Sequence, residues 1–170
     1  MRDRSIENYF YYHSPIGLIR MGETGGFLTS ADFVEKNPES KHFQSDSVSN
    51  CTTLLKDACR QLDEYFEGRR QKFDLVLKPH GTDFQRSAWE SLLRIPYGET
   101  RSYLQQAESM SNPKAIRAIG QANSRNPILI IIPCHRVIGK NGSLIGYAGG
   151  LDRKTKLLAL ENRFTREQNY

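Results

Sequence analysis

The segment NPILIIIPCHRVIGKNG, at residues 126–142, places a thiol, an imidazole and a guanidinium side by side. Cys134, His135 and Arg136 come shortly after an apolar run at residues 128–132, which predicts a buried strand. A cysteine attacks as its thiolate. Because a free thiol has a pKa of about 8.5, a neighbouring base or cation must promote its ionisation. The pattern therefore indicates a nucleophile anchored at the end of a strand.

A base that activates a thiol needs a third group to hold its imidazole in place. The C-terminal segment LDRKTKLLALEN has helical spacing and offers two candidates, Glu161 and Asp152. Glu161 falls on the side of that helix with Leu157 and Leu158, which should face the core. A carboxylate buried there would need a partner, and His135 would serve as one.

Cys134 also has a simpler interpretation as a buried structural cysteine, because free cysteine is among the most buried residue types. The loop that follows favours a functional role instead. Its glycines allow the backbone to approach a ligand closely, and Tyr147 within the loop could stack on a flat ligand. These glycines lie at positions 139, 142, 146, 149 and 150.

The other cysteines and the histidines show no metal-binding pattern, so we expect no metal and no cofactor. Cys51 and Cys59 lie eight residues apart on a predicted helix, about 12 Å along its axis, which is too far for a zinc pair. The odd count of three cysteines and an N-terminus without the apolar core of a signal peptide favour a reducing, cytoplasmic location. No run of about 18 apolar residues occurs, so no contact with a membrane is expected.

Basic residues concentrate in the second half of the chain. Residues 1–82 carry 11 Lys/Arg and 12 Asp/Glu, whereas residues 83–170 carry 13 and 7. Residues 109–151 contain no acidic residue and five basic ones: Lys114, Arg117, Arg125, Arg136 and Lys140. A solvated basic face is the simple interpretation, but so long a stretch without a carboxylate favours a polyanionic partner.

The first half of the sequence predicts a small sheet with one helix. NYFYYHSPIGLIRMGETGGFLTSADFVE alternates apolar and polar residues and is interrupted at Ser14-Pro15 and Gly25-Gly26, which predicts strands joined by hairpins. CTTLLKDACRQLDEYFEGRR has helical spacing and ends at Gly68, and KFDLVLKP predicts one more strand. A boundary near Gly81 gives a sheet-rich domain at residues 1–80 and a second domain at residues 83–170.

The second domain is predicted to be helical. Thr82 or Asp83 can cap FQRSAWESLLRI, and TRSYLQQAESM predicts a second, short helix. NPKAIRAIGQANSR predicts a third helix with Asn112 as its cap and Pro113 at its first position. A short helix, a tight turn and a longer basic helix are typical of a helix-turn-helix motif, although many helical hairpins share the pattern.

Three segments, IPCHRVIG, GYAGGL and SYLQQA…NPKAIRAIGQANSRNP, together resemble the O6-alkylguanine-DNA alkyltransferases, also called methylated-DNA–protein-cysteine methyltransferases. The match covers about residues 83–161, and the first half matches only in outline. The resemblance implies an α+β fold: a small N-terminal ribonuclease-like α/β domain with an antiparallel sheet, then a helical, winged helix-turn-helix-type DNA-binding domain that carries the active site.

The resemblance also implies a function, the direct-reversal repair of DNA. The expected partner is double-stranded DNA containing O6-alkylguanine, with O4-alkylthymine as a second substrate. The protein, expected to be a monomer, would bind the minor groove, flip the damaged nucleotide out of the stack and accept the alkyl group irreversibly. Each molecule would therefore react once.

Residue roles follow from the same resemblance. Cys134 matches the alkyl acceptor, His135 the base that deprotonates it through a water, and Glu161 the carboxylate that holds the imidazole. Asn126 matches the residue that orders the turn carrying the cysteine. Tyr103 matches the tyrosine that helps to rotate the nucleotide and gives a proton to the leaving guanine.

Arg117 matches the arginine that fills the gap left in the duplex. Further DNA contacts are expected from Ser102, Lys114, Arg125 and Arg136. The substrate pocket is expected to include Tyr147, Ala148, Gly149 and Val137. Ala148 stands where some family members carry serine, and the zinc ligands of some members have no clear counterpart in this sequence.

Two other functions compete with this one. A cysteine hydrolase could use Cys134, His135 and Glu161, and it would turn over repeatedly. A non-catalytic protein that recognises alkylated guanine would share the DNA-binding features but lack the acceptor, and Cys134 is present. The basic helical segment that precedes the cysteine argues against the hydrolase.

Overall fold

The structure is a computed structural model that describes residues 7–34 and 51–167. The chain divides into two compact units, Met1–Pro79 and His80–Tyr170. Among the described residues the first unit contains three strands and one helix. The second contains four helices and a pair of two-residue strands. This is the mixed α+β fold that the sequence predicts.

Two hairpins build the antiparallel sheet of the first unit. Its strands, β1 (Glu7–Ser14), β2 (Gly17–Thr24) and β3 (Phe27–Val34), are adjacent in chain order. Gly25 and Gly26 join β2 to β3 with φ angles of +59° and +81°, a conformation that a two-residue hairpin turn requires and glycine adopts readily. The hairpin predictions are confirmed.

Helix α1 (Thr53–Phe66) packs against this sheet. The Thr52 hydroxyl accepts a hydrogen bond from the Leu55 amide at 3.2 Å and caps the first turn. Leu55 and Leu62 face the sheet and are buried, so the helix is held by its apolar face as the spacing predicts.

The strand predicted at residues 72–79 is wrong. The segment is extended, but its pairing is a single bridge between Leu77 and Leu28 of β3. The Gln61 side chain of α1 hydrogen-bonds both backbone groups of Asp74. It accepts from the amide at 2.7 Å and donates to the carbonyl at 2.9 Å. Those groups are therefore unavailable to a neighbouring strand.

The second unit is built on a cluster of short helices. Helix α2 (Asp83–Leu92) begins with a capping box in which Thr82 and Gln85 satisfy each other's backbone amides. Trp89 of α2 is almost fully buried, and its indole N–H donates to the Ala122 carbonyl at 2.9 Å. Helix α3 (Tyr103–Ser109) begins with a second capping box, between Ser102 and Gln105.

Helix α4 (Ile116–Ser124) begins later than the sequence predicts, so the expected cap at Asn112 is wrong. Ser111 has a φ of +56°, and residues 112–115 form a turn closed by the Ala115 amide and the Asn112 carbonyl at 3.0 Å. Pro113 therefore lies within this turn and not at the first position of the helix. Helix α5 (Leu151–Glu167) completes the unit.

A buried polar network fixes α4 against α2 and α3. The Gln106 and Asn123 side-chain amides donate to each other, at 3.3 Å and 2.7 Å, and Gln106 also donates to the Ser91 hydroxyl at 3.0 Å. Buried amides of this kind pack stably only when their polar atoms are paired. The network therefore sets the position of α4, whose role is considered below.

A short parallel pair brings the start of α3 beside the Cys134 segment. Strand β4 (Arg101–Ser102) pairs with β5 (Val137–Ile138). Because Tyr103 directly follows β4 and Cys134 lies three residues before β5, the pairing sets both side chains in one region.

Within residues 7–34 and 51–167, no helix combines the length and apolar character that a bilayer crossing requires.

Candidate active site

The apolar run before Cys134 is a buried turn, so the predicted strand is wrong. The Ile132 amide donates to the Ile128 carbonyl at 3.0 Å, and Ile130 between them has a φ of +70°. A β-branched residue rarely adopts this left-handed conformation, so the surrounding packing must enforce it. Cys134–Arg136 then form one turn of 3₁₀ helix. Adjacent side chains point to opposite faces of a strand, whereas in a 3₁₀ helix, with about three residues per turn, they are separated by about a third of a rotation.

Asn126 ties the turn together and contacts the thiol. Its amide N–H groups donate to the Ile132 carbonyl at 2.8 Å and to Cys134 Sγ at 3.2 Å. Its side-chain oxygen accepts from the Ile128 amide at 3.0 Å. The side chain thus fastens the two ends of the turn and supplies a hydrogen-bond donor to the sulfur.

Glu161 of α5 pairs with His135 and with Arg136. His135 Nε2 lies 2.8 Å from Glu161 Oε1, and Arg136 donates to both carboxylate oxygens at 3.0 Å. All three side chains are buried. The Gly98 amide donates to the same carboxylate at 3.1 Å. The alternative partner, Asp152, is exposed and pairs with Lys156, so the structure selects Glu161.

These contacts define the protonation of the pair. Burial alone would raise the pKa of the Glu161 carboxyl, but His135 and Arg136 outweigh it and lower the pKa to about 2. Burial lowers the pKa of His135, and Glu161 only partly offsets this. The imidazole is therefore neutral at neutral pH. Because the ionised Glu161 accepts at Nε2, that nitrogen carries the proton and Nδ1 has a free lone pair.

Cys134 is 4% exposed, and burial raises the pKa of its thiol to about 11. The hydrogen bond from Asn126 and the charge of Lys154 act in the opposite direction. A buried thiol that stays protonated at rest is protected from small oxidants and electrophiles.

Lys154 is a functional candidate that the sequence reasoning missed. It is fully buried, and its ammonium donates to three carbonyls, those of Val137, Ile145 and Gly146, at 2.6, 2.8 and 3.2 Å. It thereby ties β5 to the glycine-rich loop. Its spacing to Leu157 and Glu161, three and seven residues on, places it on the core face of α5 and was the available signal.

A small cavity, with a volume of about 30 Å³, opens beside the thiol. Its lining residues are Tyr103, Gly120, Asn123, Ser124, Cys134, Gly146 and Tyr147. The hydroxyl of Tyr103, one of these residues, donates to the Ile145 carbonyl at 3.1 Å.

The expected pocket residues are only partly brought together. Tyr147 lines the cavity, but Val137, Ala148 and Gly149 do not. Val137 is buried and its carbonyl holds Lys154, Gly149 is buried, and Ala148 is exposed. Of the four expected pocket residues, Tyr147 is therefore the one that lines the cavity beside the thiol.

The expected DNA-contacting residues separate into two groups. Arg117, Lys114 and Arg125 are exposed on or beside α4, and Ser102 caps α3. Arg117 lies three residues before Gly120, which lines the cavity, so it shares the cavity side of α4.

Arg136 needs a correction. It is buried, donates to Glu161 through Nε and Nη2, and donates through Nη1 to the Ile95 carbonyl at 2.7 Å. A side chain enclosed in this way is turned away from solvent, which argues against a DNA contact. Its evident use is to balance the charge of Glu161.

Comparison with known proteins gives a consistent result over both units. Residues 83–163 match the family model described as 6-O-methylguanine DNA methyltransferase, DNA binding domain. Residues 8–79 match the model of the ribonuclease-like domain of the same proteins.

Individual relatives match nearly the whole chain. The methylated-DNA–protein-cysteine methyltransferase of Methanosarcina barkeri is 50% identical over 153 residues, 90% of this chain and 96% of the relative. That of Mycobacterium leprae is 48% identical, covering 87% and 88%. The crystal structure of Mycobacterium tuberculosis OGT in complex with DNA superposes with a TM-score of 0.81 at 44% identity, covering 92% of this chain and 94% of that one.

Proposed function

Because this chain belongs to the family of methylated-DNA–protein-cysteine methyltransferases, which repair DNA by methyl transfer to a protein cysteine, we propose that Cys134 is the acceptor. The observation that carries this assignment is the arrangement around its sulfur. Asn126 donates to the thiol, and the next residue in the chain, His135, is paired with Glu161. The proposed substrate is O6-alkylguanine in duplex DNA, with O4-alkylthymine as a second.

The chemical step is a displacement at the alkyl carbon. Cys134 loses its proton through a water to His135 Nδ1, and the resulting imidazolium is stabilised by the ionised Glu161. The thiolate attacks the alkyl carbon, so that a carbon–sulfur bond forms while the carbon–O6 bond breaks. The electron pair of the broken bond passes to the guanine. The donor contact from Asn126 and the charge of Lys154 lower the energy of the thiolate.

The leaving guanine takes a proton from Tyr103. Burial raises the pKa of the Tyr103 hydroxyl, so it remains protonated and available as a donor. It lines the cavity that Cys134 also lines. A neutral purine leaves more readily than its anion, so this donor accelerates bond breaking.

The reaction happens once per molecule. The product is a methyl thioether on Cys134. Water does not cleave a thioether under ordinary conditions, so the thiol is not regenerated. A cysteine hydrolase with the same three residues would instead form a thioester, which water cleaves. The stoichiometry therefore distinguishes the two functions.

The target atom lies inside the base stack, so we propose that the nucleotide is flipped into the cavity beside Cys134. Arg117, exposed on the cavity side of α4, would fill the gap in the duplex from the minor groove. Lys114, Arg125 and Ser102 would contact phosphates, because they surround α4 and the start of α3.

The decisive experiment is the intact mass of the protein after incubation with duplex DNA containing one O6-methylguanine. One methyl group, a gain of roughly 14 Da on a single thiolate acceptor, should appear on the peptide that contains Cys134. The amount of repaired DNA should equal the amount of active protein. Repeated turnover, or a methyl group on Cys51 or Cys59, would overturn the proposal.

Flipping is tested separately with Arg117→Ala. Unstacking costs a few kcal/mol, so loss of the side chain that offsets it should slow repair of duplex DNA by about tenfold or more. Reaction with free O6-benzylguanine, which needs no flipping, should change little. The matched control is Arg163→Ala, an exposed arginine whose charge is paired with Glu167. Equal losses on both substrates would make Arg117 a pocket or structural residue.

A further inference from the structure

Two polar atoms beside Cys134 have no hydrogen-bond partner among the described residues: the Tyr147 hydroxyl and His135 Nδ1. Both atoms are shielded from solvent, and the His135 side chain is fully buried. Buried polar atoms are almost always paired, because an unpaired one has lost its hydration without compensation. The two atoms therefore point to a function or to a bound water.

Tyr147 lies close to both Cys134 and His135. It lines the cavity together with Cys134, and its ring lies edge-on to the His135 imidazole with 6.3 Å between ring centroids. Since Nε2–H is directed at Glu161, His135 Nδ1 can only accept a hydrogen bond in the neutral state. The phenol O–H can donate. A donor and an acceptor that both lack partners are matched by one bridging water.

We propose that the Tyr147 hydroxyl is a positioning group for the proton that leaves Cys134, holding the water that connects the thiol to His135 Nδ1. This inference rests on the proposed function of Cys134 as the alkyl acceptor. In this proposal the Tyr147 hydroxyl positions the water, whereas the Tyr147 ring lines the cavity.

In this arrangement every proton and hydrogen bond of the bridging water can be followed before and after the transfer. Before reaction, the water accepts from the thiol and from the Tyr147 hydroxyl and donates to His135 Nδ1. As the thiol proton moves to the water, a water proton moves to Nδ1. The water then accepts from the new Nδ1–H and from the unchanged Tyr147 hydroxyl, and donates to the thiolate. Tyr147 fixes the water in both states and is not itself consumed.

Several other charged and titratable groups surround this site, and Glu161 and Arg153 act directly on Tyr147, in opposite directions. Glu161 and Arg136 balance each other behind His135. Lys154, beneath the loop, favours the thiolate, and Tyr103 faces it from α3. Arg153 acts on Tyr147 from α5, but burial dominates and raises the pKa of Tyr147, so the hydroxyl stays protonated through the working pH range. Loss of the hydroxyl should therefore weaken thiolate formation without abolishing it.

The test is the single-turnover rate of methyl transfer from O6-methylguanine DNA as a function of pH. Tyr147→Phe keeps the ring and removes the donor. It should be about tenfold slower at neutral pH, with the midpoint of the rate rise moved up by about one pH unit and the rates converging at alkaline pH. Tyr12→Phe, which removes a buried hydroxyl in the first unit, is the matched control and should reproduce the wild-type profile.

A merely structural role gives a different result. If Tyr147 only packs, Tyr147→Phe slows the reaction equally at every pH or leaves it unchanged, and either outcome overturns the inference. Replacement of Tyr147 by 3-fluorotyrosine, which keeps the ring and makes the hydroxyl a stronger donor, should move the midpoint down. This second variant keeps the test valid even if the phenylalanine variant folds poorly.

A double-mutant cycle shows whether Tyr147 acts through His135. In a His135→Gln background the shared proton path is broken, so Tyr147→Phe should have little further effect. Full additivity would overturn the inference. Peptide mapping in the same assays separates this from the proposed function, because wild-type protein that carries no methyl on Cys134 contradicts the acceptor assignment instead.

Discussion

Cys59 of α1 and Cys134 of the second unit are both shielded thiols with opposite surroundings. Burial raises the pKa of both, to about 12 for Cys59 and to about 11 for Cys134. The neighbours of Cys59, Cys51 and Asp63, raise it further, whereas Asn126 and Lys154 lower that of Cys134. Burial is thus common to both cysteines, and the difference lies in what faces the sulfur.

Asp63 lies close to Cys59, whereas Glu161 reaches the Cys134 site through its pair with His135, and the two carboxylates are used differently. Asp63 accepts from the Tyr12 hydroxyl at 2.7 Å, a neutral donor that leaves its negative charge in place. Glu161 is compensated by Arg136 and serves His135. Glu161 is thus compensated by a cation and hydrogen-bonded to an imidazole, whereas Asp63 is bonded to a neutral phenol.

The backbone under the two cysteines differs as well. Cys59 is one position of a regular, capped helix. Cys134 follows a buried turn in which Ile130 has a φ of +70°. Backbone strain of this kind persists only where the surroundings fix it, and it is concentrated at functional sites.

The largest expected effect is on methyl transfer, when removal of the Cys134 thiol is compared with removal of the Cys59 thiol. Cys134→Ala should retain DNA binding and transfer no methyl, because no other described group in the second unit is a thiol. Cys59→Ala, the matched control, should transfer one methyl per protein at the wild-type rate. Both are measured by intact mass and by the binding of a methylated duplex. Residual transfer in Cys134→Ala would break the comparison.

Glu161→Gln should cost stability as well as rate. The pKa of Glu161 falls from 4.5 to about 2 on folding, so its contribution to stability, about 3 kcal/mol, is complete above pH 4.5 and is lost as the pH falls toward 2. The variant also leaves Arg136 buried without a counter-charge. Urea unfolding between pH 7 and pH 3 should show a steep acid loss in the wild type and a shallower one in the variant.

The control for that measurement is Glu167→Gln, which removes an exposed carboxylate from the same helix. Its unfolding curve should follow the wild type at every pH, because exposed ion pairs contribute little. If Glu161→Gln and the wild type lost stability in parallel on acidification, the role of Glu161 as the compensated acid of the site would be contradicted.

Asn126→Ala should make the Cys134 thiol harder to ionise, as the Cys59 thiol is. It removes the donor to the sulfur and two anchors of the turn, so methyl transfer should slow by about tenfold at neutral pH and recover in part at higher pH. The rate is followed in a single turnover across pH. Asn162→Ala, an exposed change on α5, is the control. A variant with the wild-type pH profile would show that the hydrogen bond to sulfur has no effect on ionisation.

The smallest expected effect is that of Asp63→Asn on Cys59. Removal of the acid lowers the pKa of the Cys59 thiol, but burial is the larger cause and remains. Alkylation of Cys59 by iodoacetamide at neutral pH, read by peptide mapping, should rise by no more than about threefold. Methyl transfer from DNA should stay on Cys134. Rapid labelling of Cys59 would show that charge, rather than burial, keeps this thiol inert.

Much of the fold follows from the sequence because it depends on near neighbours. Gly25-Gly26 requires a turn wherever the surrounding strands lie, and Thr82 with Gln85 caps α2 within three residues. The helical spacing of Leu157 and Glu161 places the carboxylate on the core face before any partner is known. The family resemblance rests on residue types at fixed spacing, which the sequence displays directly.

Tertiary structure decided the features that depend on distant partners. Residues 128–132 have the composition of a strand, yet Asn126 and the buried surroundings close them into a turn. Arg136 is in a basic stretch of sequence, and only contacts with Ile95 and Glu161, 41 and 25 residues away, turn it inward. The burial of Lys154 and the size of the cavity arise in the same way. Local propensity acts over a few residues, whereas the placement of a buried charge is settled by the groups that the completed fold brings around it.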